Sequence, residues 1–150
     1  MDTGEPMNGG PALFRLVRFW SRRWVNRATE ELPGELRQVQ HIQAVEAVHA
    51  ADGGAREATV STVAHQLGLD HSGASRIVRD ATAAGYLLRA ESEQDRRRAV
   101  LLLTPRGEQL LADSHRWQRR VFTELTASWS ERDREQFAAY LRRLAGELGV

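Results

Sequence analysis

The sequence predicts a mainly α-helical fold that contains one small β-hairpin. Between Thr59 and Thr104, two helical patterns separated by a tight turn are followed by two short apolar runs with an arginine-rich segment between them. Before and after this stretch, apolar residues recur at helical spacing over most of the chain. Helix, turn, helix and hairpin in that order predict a winged helix-turn-helix, with further helices at the N- and C-terminal ends.

The first predicted helix follows a glycine-rich segment without periodicity, so residues 1–10 are expected to form a flexible tail. Pro11 suits the first position of a helix. Apolar residues from Leu13 to Ala28 then follow helical spacing, and Phe14 and Phe19 make the helix apolar over more of its circumference than a surface helix of a monomer needs. We therefore expect this helix to pack against a second copy of the chain.

The second predicted helix begins after Pro33 and Gly34 and runs from Glu35 to Ala51, before the turn signal Asp52-Gly53-Gly54. Its inward residues are Leu36, Val39, Ile42, Val45 and Val48. The helix also carries His41, Glu46 and His49. Glu46 and His49 could share a metal with help from another chain, but the spacing of the three residues does not match a known metal site, and solvated or hydrogen-bonded polar residues are the simpler interpretation.

The third and fourth predicted helices form the helix-turn-helix. Thr59 is the expected N-cap of the third, which ends at Gly68, and Asp70 is the expected N-cap of the fourth, about His71 to Ala84. The stripe of Ala74, Ile77, Val78 and Ala81 should be buried. The opposite face is short, polar and basic, which suits close approach to a DNA major groove; its residues are His71, Ser72, Ser75, Arg76 and Arg79.

The predicted hairpin consists of Tyr86 to Ala90 and Ala99 to Leu103, joined by a charged tip. The tip includes Asp95, Arg96, Arg97 and Arg98. Such a run is usually a solvated loop, but a basic hairpin directly after a helix-turn-helix has the position of a wing. An arginine there can enter the minor groove, whose negative potential attracts it.

The last two predicted helices complete the fold. Thr104 and Pro105 are expected to start a long helix, and its apolar side is Leu110, Leu111, Trp117, Val121, Leu125 and Trp129. Ser130 and Asp133 resemble a capping box, after which Phe137, Leu141, Leu144 and Leu148 form one stripe. We expect residues 11–35 and 108–150 to form a helical dimerisation region and residues 36–107 to form the winged helix-turn-helix domain.

One family resemblance rests on two segments, VSTVAHQLGLDHSGASRIVRDATAAGYL and DRRRAVLLLTPRG. Together they resemble the DNA-binding core of the multiple antibiotic resistance regulator (MarR) family, in which a D-x-R wing motif is followed by L-T-x-x-G. Asp95 and Arg97 stand at the aspartate and arginine of that motif, and Thr104 and Gly107 at its threonine and glycine. The resemblance implies that Arg97 reaches the minor groove and that Asp95 orients it. His71 stands where the family often has arginine.

Composition narrows the classes of function. The 150 residues are 41% hydrophobic and 27% charged, as in soluble globular proteins. No apolar run approaches the length of about 18 residues that a membrane span requires, and a signal peptide is not evident, so a cytoplasmic protein without membrane contact is expected. Cysteine is absent, and the sequence contains no phosphate loop, nucleophile elbow or paired catalytic carboxylates. We therefore expect that the protein is not an enzyme and binds no cofactor.

The expected function is that of a homodimeric, sequence-specific regulator of transcription. The resemblance implies a repressor that binds double-stranded DNA at a palindromic operator and is relieved by a small aromatic or anionic effector. The candidate effector pocket consists of Trp20, Trp24, His41 and Trp117, although aromatic residues at helical spacing are more often core or interface. A winged-helix module that binds protein and not DNA remains the alternative.

Overall fold

A computed structural model describes residues 9–31, 36–52 and 56–150 of the chain. Most of the predicted tail, Pro33 and Gly34, and Gly53 and Gly54 lie outside the described residues. The chain divides into two compact units, residues 1–39 and 40–150. The elements are α1 (Gly10–Glu31), α2 (Leu36–Asp52), α3 (Val60–Leu67), α4 (His71–Ala83), β1 (Leu87–Glu91), β2 (Ala99–Leu103), α5 (Pro105–Leu125) and α6 (Glu131–Leu148).

In the first unit, α1 is a helix of 22 residues that exposes large apolar side chains. The guanidinium of Arg23 lies 3.8 Å from the centre of the Phe19 ring and also donates to the carbonyl oxygen of Phe19. The side chains of Arg27 and Glu31 form an ion pair at 2.6 Å. The exposed apolar residues of α1 are Leu13, Phe14, Leu16, Val17 and Phe19.

The core of the second unit is built from the inward faces of α2, α3 and α4, the hairpin and the start of α5. The predicted inward residues of α2 that the structure describes are all buried, and so are Ala74, Val78 and Ala81 of α4. Ile77, the fourth residue of the predicted α4 stripe, is partly buried and packs against this core, so the helical periodicity read from the sequence is confirmed. The cluster comprises Ala44, Val45, Ala47, Val48, Ala51, Ala58, Val63, Ala74, Val78, Ala81, Tyr86, Leu87, Leu101 and Leu111.

The two strands pair as an antiparallel hairpin, with Leu87 opposite Leu103 and Glu91 opposite Ala99. The first strand begins one residue later than predicted, because the backbone N–H of Tyr86 donates to the carbonyl oxygen of Ala81 at 3.0 Å and so closes α4. On the other side of β2, the N–H of Leu101 donates to the carbonyl oxygen of Ala58 at 2.8 Å. The segment before α3 thus lies against the hairpin like a short third strand.

Two helices follow the hairpin. The predicted cap of α5 is present, since the hydroxyl oxygen of Thr104 accepts the N–H of Gly107 at 3.0 Å. The expectation that Trp129 extends the apolar side of α5 is wrong: the helix ends at Leu125, and Trp129 packs against the Phe137 ring with centroids 5.2 Å apart. None of the residues of α6 is buried. Its exposed large apolar side chains are Tyr140, Leu141, Leu144 and Leu148.

Candidate nucleic-acid interface

The polar face of α4 is presented by a helix that is fixed at its start. The carboxylate of Asp70 accepts the backbone N–H of Gly73 at 2.7 Å, which satisfies one of the free donors of the first turn. Because Ala74, Val78 and Ala81 are buried, the other side of the helix faces outward. On that side, His71, Ser72, Arg76 and Arg79 are exposed and Ser75 is partly buried.

The turn between α3 and α4 has the geometry that the sequence predicts. Thr59 caps α3 reciprocally with Thr62: each side-chain oxygen accepts the other residue's backbone N–H, at 3.2 and 3.0 Å. Gly68 ends the helix in the left-handed conformation, with φ of 62°. A residue with a side chain adopts that conformation at a cost, so Gly68 sets the sharp reversal that places α4 after α3.

Gly73 has a local role besides its low helix propensity. A Cβ atom added at this position would lie 2.9 Å from Oδ1 of Asp70, the oxygen that caps the helix. The glycine therefore lets the capping carboxylate approach the helix N-terminus closely. The nearest atom is the end of a flexible side chain, so a larger residue at this position would require only a small shift of the Asp70 carboxylate.

The wing tip, residues 92–98, is an ordered turn. The N–H of Ser92 donates to the carbonyl oxygen of Arg98 at 3.0 Å, and the N–H of Arg98 donates to that of Asp95 at 2.9 Å. The carboxylate of Asp95 accepts the backbone N–H of Arg97 at 3.0 Å. Asp95 thus holds the main chain at Arg97, while the side chains of Arg96, Arg97 and Arg98 are exposed.

Two residues that the sequence analysis did not single out, Ser92 and Glu57, support this tip. Ser92 is buried, and its hydroxyl donates to Oε2 of Glu57 at 2.5 Å. Oε1 of Glu57 accepts the N–H of Glu93 at 3.1 Å. A serine at the start of a polar turn was a usable signal for Ser92. Glu57 gave no signal, because it is 35 residues away in the chain.

The L-T-x-x-G segment joins the hairpin to α5. The Thr104 hydroxyl donates to the carbonyl oxygen of Gly85 at 2.6 Å while it also caps α5. Gly107 is buried, and a Cβ atom added there would lie only 2.2 Å from the carbonyl oxygen of Tyr86. The motif therefore fixes the first turn of α5 against the chain that enters the hairpin.

Glu46 links α2 to α5 through hydrogen bonds, one of the two roles that the sequence analysis expected for this residue. Its carboxylate receives hydrogen bonds from Ser114 at 3.0 Å and Gln118 at 2.8 Å, and lies 2.9 Å from Nε2 of His115. His49 approaches the same histidine, with ring centroids 5.8 Å apart. Among the described residues there is no group of three His, Asp or Glu side chains that could hold a metal ion.

The four residues of the predicted effector pocket are divided between the two units. Trp20 and Trp24 lie on α1 in the first unit, where both are partly exposed. In the second unit, Trp117 is buried, and the His41 ring packs on Tyr86 with centroids 5.3 Å apart. The pocket stays a prediction. A separate open depression of about 620 Å³ lies along α5, lined by His115, Gln118, Arg119, Phe122 and Thr123.

Comparison with known proteins identifies the type of winged helix. The sequence model of the MarR family matches residues 37–98, a segment that contains α3, α4 and the wing tip. Over this segment the winged helix-turn-helix is similar to that of the MarR family. The family resemblance and the mainly helical fold with a two-stranded hairpin are thus confirmed. No curated protein sequence matches the chain.

Solved structures of MarR-type regulators share the fold. A mutant of MepR from S. aureus is 20% identical and superposes with a TM-score of 0.64 over 93% of this chain and 98% of that one. BldR, a transcriptional regulator from Sulfolobus solfataricus, is 18% identical, with a TM-score of 0.64 over 90% of this chain and 91% of that one. A MepR–DNA complex from S. aureus is 19% identical, with a TM-score of 0.61 over 93% and 96% of the two chains.

None of the described helices of this chain combines the length and apolar character that a membrane crossing requires.

Proposed function

We propose that this MarR-type protein is a sequence-specific DNA-binding regulator of transcription that acts as a homodimeric repressor. The observation that carries the proposal is the pairing, within residues 40–150, of an exposed basic helix face with an ordered turn that exposes three consecutive arginines. A protein of the same fold, MepR, has been solved in complex with DNA. The basic face of α4 and the arginines of the wing suit DNA binding and supply no catalytic group.

The exposed face of α4 has the chemistry of a major-groove reader. Arg76 and Arg79 can each donate two hydrogen bonds to the edge of one guanine or to a phosphate. The hydroxyls of Ser72 and Ser75 can contact phosphates or base edges. His71 lies in the first turn of the helix, where side chains reach base edges in helix-turn-helix proteins. Small side chains around these residues allow the helix to approach the DNA closely.

The wing adds a second contact. Arg97 would enter the minor groove, with Arg96 and Arg98 beside the phosphates. The net charge of the chain is only +1, so attraction to DNA must come from local clusters of arginine. Asp95 contributes order to the turn, because its carboxylate is occupied by the main-chain N–H of Arg97.

Dimerisation is supported by the apolar surface of the terminal helices. Phe14, Leu16 and Val17 of α1 are more than half exposed, as is Leu148 of α6. Such a set of exposed apolar side chains is typical of a surface that is covered in an assembly. Two copies related by a twofold axis would place two α4 helices in successive major grooves, so the operator should be an approximate palindrome.

A small aromatic or anionic effector would relieve repression by favouring a dimer whose two α4 helices no longer match the spacing of the grooves. The residues proposed to contact the effector are Trp20 and Trp24 in the first unit and His41 and Trp117 in the second. A MepR structure of the same fold, 20% identical to this chain with a TM-score of 0.57, has been solved bound to ethidium bromide.

The test is selection of bound fragments from the genomic DNA of the source organism, with the purified wild-type protein and with Arg97→Ala. We expect a palindrome to be enriched by the wild type, and its affinity to fall by about 1–3 kcal/mol in Arg97→Ala. Arg142→Ala, which removes an arginine of α6, is the matched control. Full affinity of Arg97→Ala would refute the role of the wing.

The salt dependence of the affinity distinguishes DNA recognition from a protein-interaction module. Binding through phosphate contacts should weaken steeply as salt rises, because binding releases counterions from the DNA. If no fragment is enriched, and the protein instead holds a protein partner at high salt, the DNA-binding proposal fails.

A further inference from the structure

The tip of the wing has more internal order than a seven-residue surface loop requires. Between the end of β1 and the start of β2, only Ser92 is buried, at 2% exposure, whereas residues 93–98 are exposed. Loop residues are commonly solvated, and a buried hydroxyl among charged neighbours therefore needs a reason. The reason lies in what the hydroxyl contacts.

The Ser92 hydroxyl is the centre of the turn. Its oxygen accepts two main-chain donors, the N–H groups of Gln94 and Asp95, at 3.1 and 3.0 Å. Its proton goes to Oε2 of Glu57. The hydroxyl thus uses both its acceptor and donor capacity, and it fixes the two residues that immediately precede the arginine run.

Glu57 is held in place by the strand-like segment before α3. The neighbouring residue Ala58 pairs with Leu101 of β2, so the backbone at Glu57 is fixed beside the base of the wing. Each carboxylate oxygen of Glu57 accepts one hydrogen bond: Oε2 accepts that of the Ser92 hydroxyl, and Oε1 accepts that of the Glu93 N–H. The carboxylate therefore joins the tip to the body of the domain.

The negative charge of Glu57 is unexpected beside a cluster of arginines that would bind DNA. A carboxylate near a DNA-binding arginine cluster repels phosphate, so on charge alone its removal should improve affinity for DNA. Hydrogen bonds to a carboxylate are stronger than those between neutral groups, so an acid in this position holds the turn more firmly than a neutral acceptor would.

We propose that Glu57 and Ser92 are positioning residues for DNA recognition: they hold the turn of the wing so that Arg97 is presented to the minor groove in one conformation. The inference rests on the proposed function in DNA binding. Neither residue contacts DNA. Their contribution is to remove, before binding, the conformational freedom that an unsupported arginine loop would lose on binding.

The experiment is a double-mutant cycle measured by DNA affinity at constant salt. Glu57→Ala and Ser92→Ala should each weaken binding by about tenfold in the wild-type background, comparable to the loss of one arginine contact. In the Arg97→Ala background the same changes should have less than about a twofold effect, because the contact that the anchor supports is already gone. Glu93→Ala is the matched control. It removes a negative charge from the same turn but keeps the main-chain N–H that Glu57 accepts.

A second readout separates positioning from loss of folding. Exchange of the amide protons of Gln94 and Asp95 should accelerate in Ser92→Ala, while the amides of the helical core keep their protection. Glu57→Ala should also flatten the slope of log affinity against log salt by about one unit if the arginine contact to DNA is lost.

The outcomes are distinct. If the wild type binds DNA and Arg97→Ala weakens it, but Glu57→Ala behaves like Glu93→Ala, the positioning inference is overturned and the proposed function stands. Additive effects of Glu57→Ala and Arg97→Ala would also overturn the inference, because they show that Glu57 acts on DNA affinity independently of the Arg97 contact. If the wild-type protein binds no DNA, the proposed function fails and this inference with it.

Discussion

Gly107→Ala should destabilise the winged helix-turn-helix although it places the best helix former inside a helix. Alanine is favoured over glycine by about 1 kcal/mol within a helix. At Gly107 the new methyl group would lie 2.2 Å from the carbonyl oxygen of Tyr86, about 1 Å closer than the van der Waals contact of carbon with oxygen allows. The neighbouring atom belongs to the main chain, so it cannot move away by a change of rotamer.

Relief of this overlap requires either α5 or the chain entering the hairpin to shift. Overpacking in a well-packed core costs about 1–3 kcal/mol, and the short distance places Gly107→Ala at the upper end of that range. After the gain in helix propensity, the net loss should be about 2 kcal/mol, or roughly 4–8 °C in melting temperature for a chain of this size.

The assay is thermal and urea unfolding at one fixed protein concentration, since the stability of a dimer depends on concentration. Gly146→Ala is the matched control: the glycine lies in α6, and a Cβ atom added there meets no atom within 4 Å. It should leave stability unchanged or raise it by up to about 1 kcal/mol. If Gly107→Ala is as stable as Gly146→Ala, the close approach of α5 to Tyr86 is not what requires a glycine in the motif.

Two other substitutions test the caps and the exposed helices. Asp70→Ala removes the acceptor for the N–H of Gly73 and should lower the free energy of unfolding in urea by about 1 kcal/mol. The control is Asp133→Ala at the start of α6, which should lower it by less because the Ser130 oxygen still caps that helix. Leu141→Glu should convert the proposed dimer to monomer in sedimentation, because a charge on the apolar surface of α6 would be buried in the interface without a partner. A dimer of unchanged affinity would remove α6 from the interface.

The sequence predicted the helices, their caps and the hairpin because these depend on neighbours in the chain. Thr59, Gly68 and Asp70 each act on a backbone group within a few residues, so local spacing was sufficient to assign them. The buried stripe of α4 followed from periodicity alone. The role of Asp95 came from the family resemblance, which implied that the aspartate orients Arg97; in the structure its carboxylate accepts the main-chain N–H of Arg97.

The contacts that the sequence did not reveal join residues far apart in the chain. Glu46 meets Ser114 across 68 residues, and Glu57 meets Ser92 across 35. No periodic pattern marks such a pair, because each residue alone resembles a solvated polar side chain. The length of α5 was overestimated for a related reason: Trp129 continues the apolar sequence, but it packs against Phe137 from the turn.

The residues of the interface divide into those that the fold constrains and those that it leaves free to change. Asp70 and Gly107 are limited by contacts with main-chain atoms, and replacing either residue would destabilise any protein with this backbone. His71 and Arg76 are exposed and carry no such limit. A change at these two positions can therefore alter which bases are read without a change in the domain that presents them. In the proposed complex with DNA, the determinants of specificity should lie in the exposed face of α4, while the wing and its anchor should supply affinity that depends less on sequence.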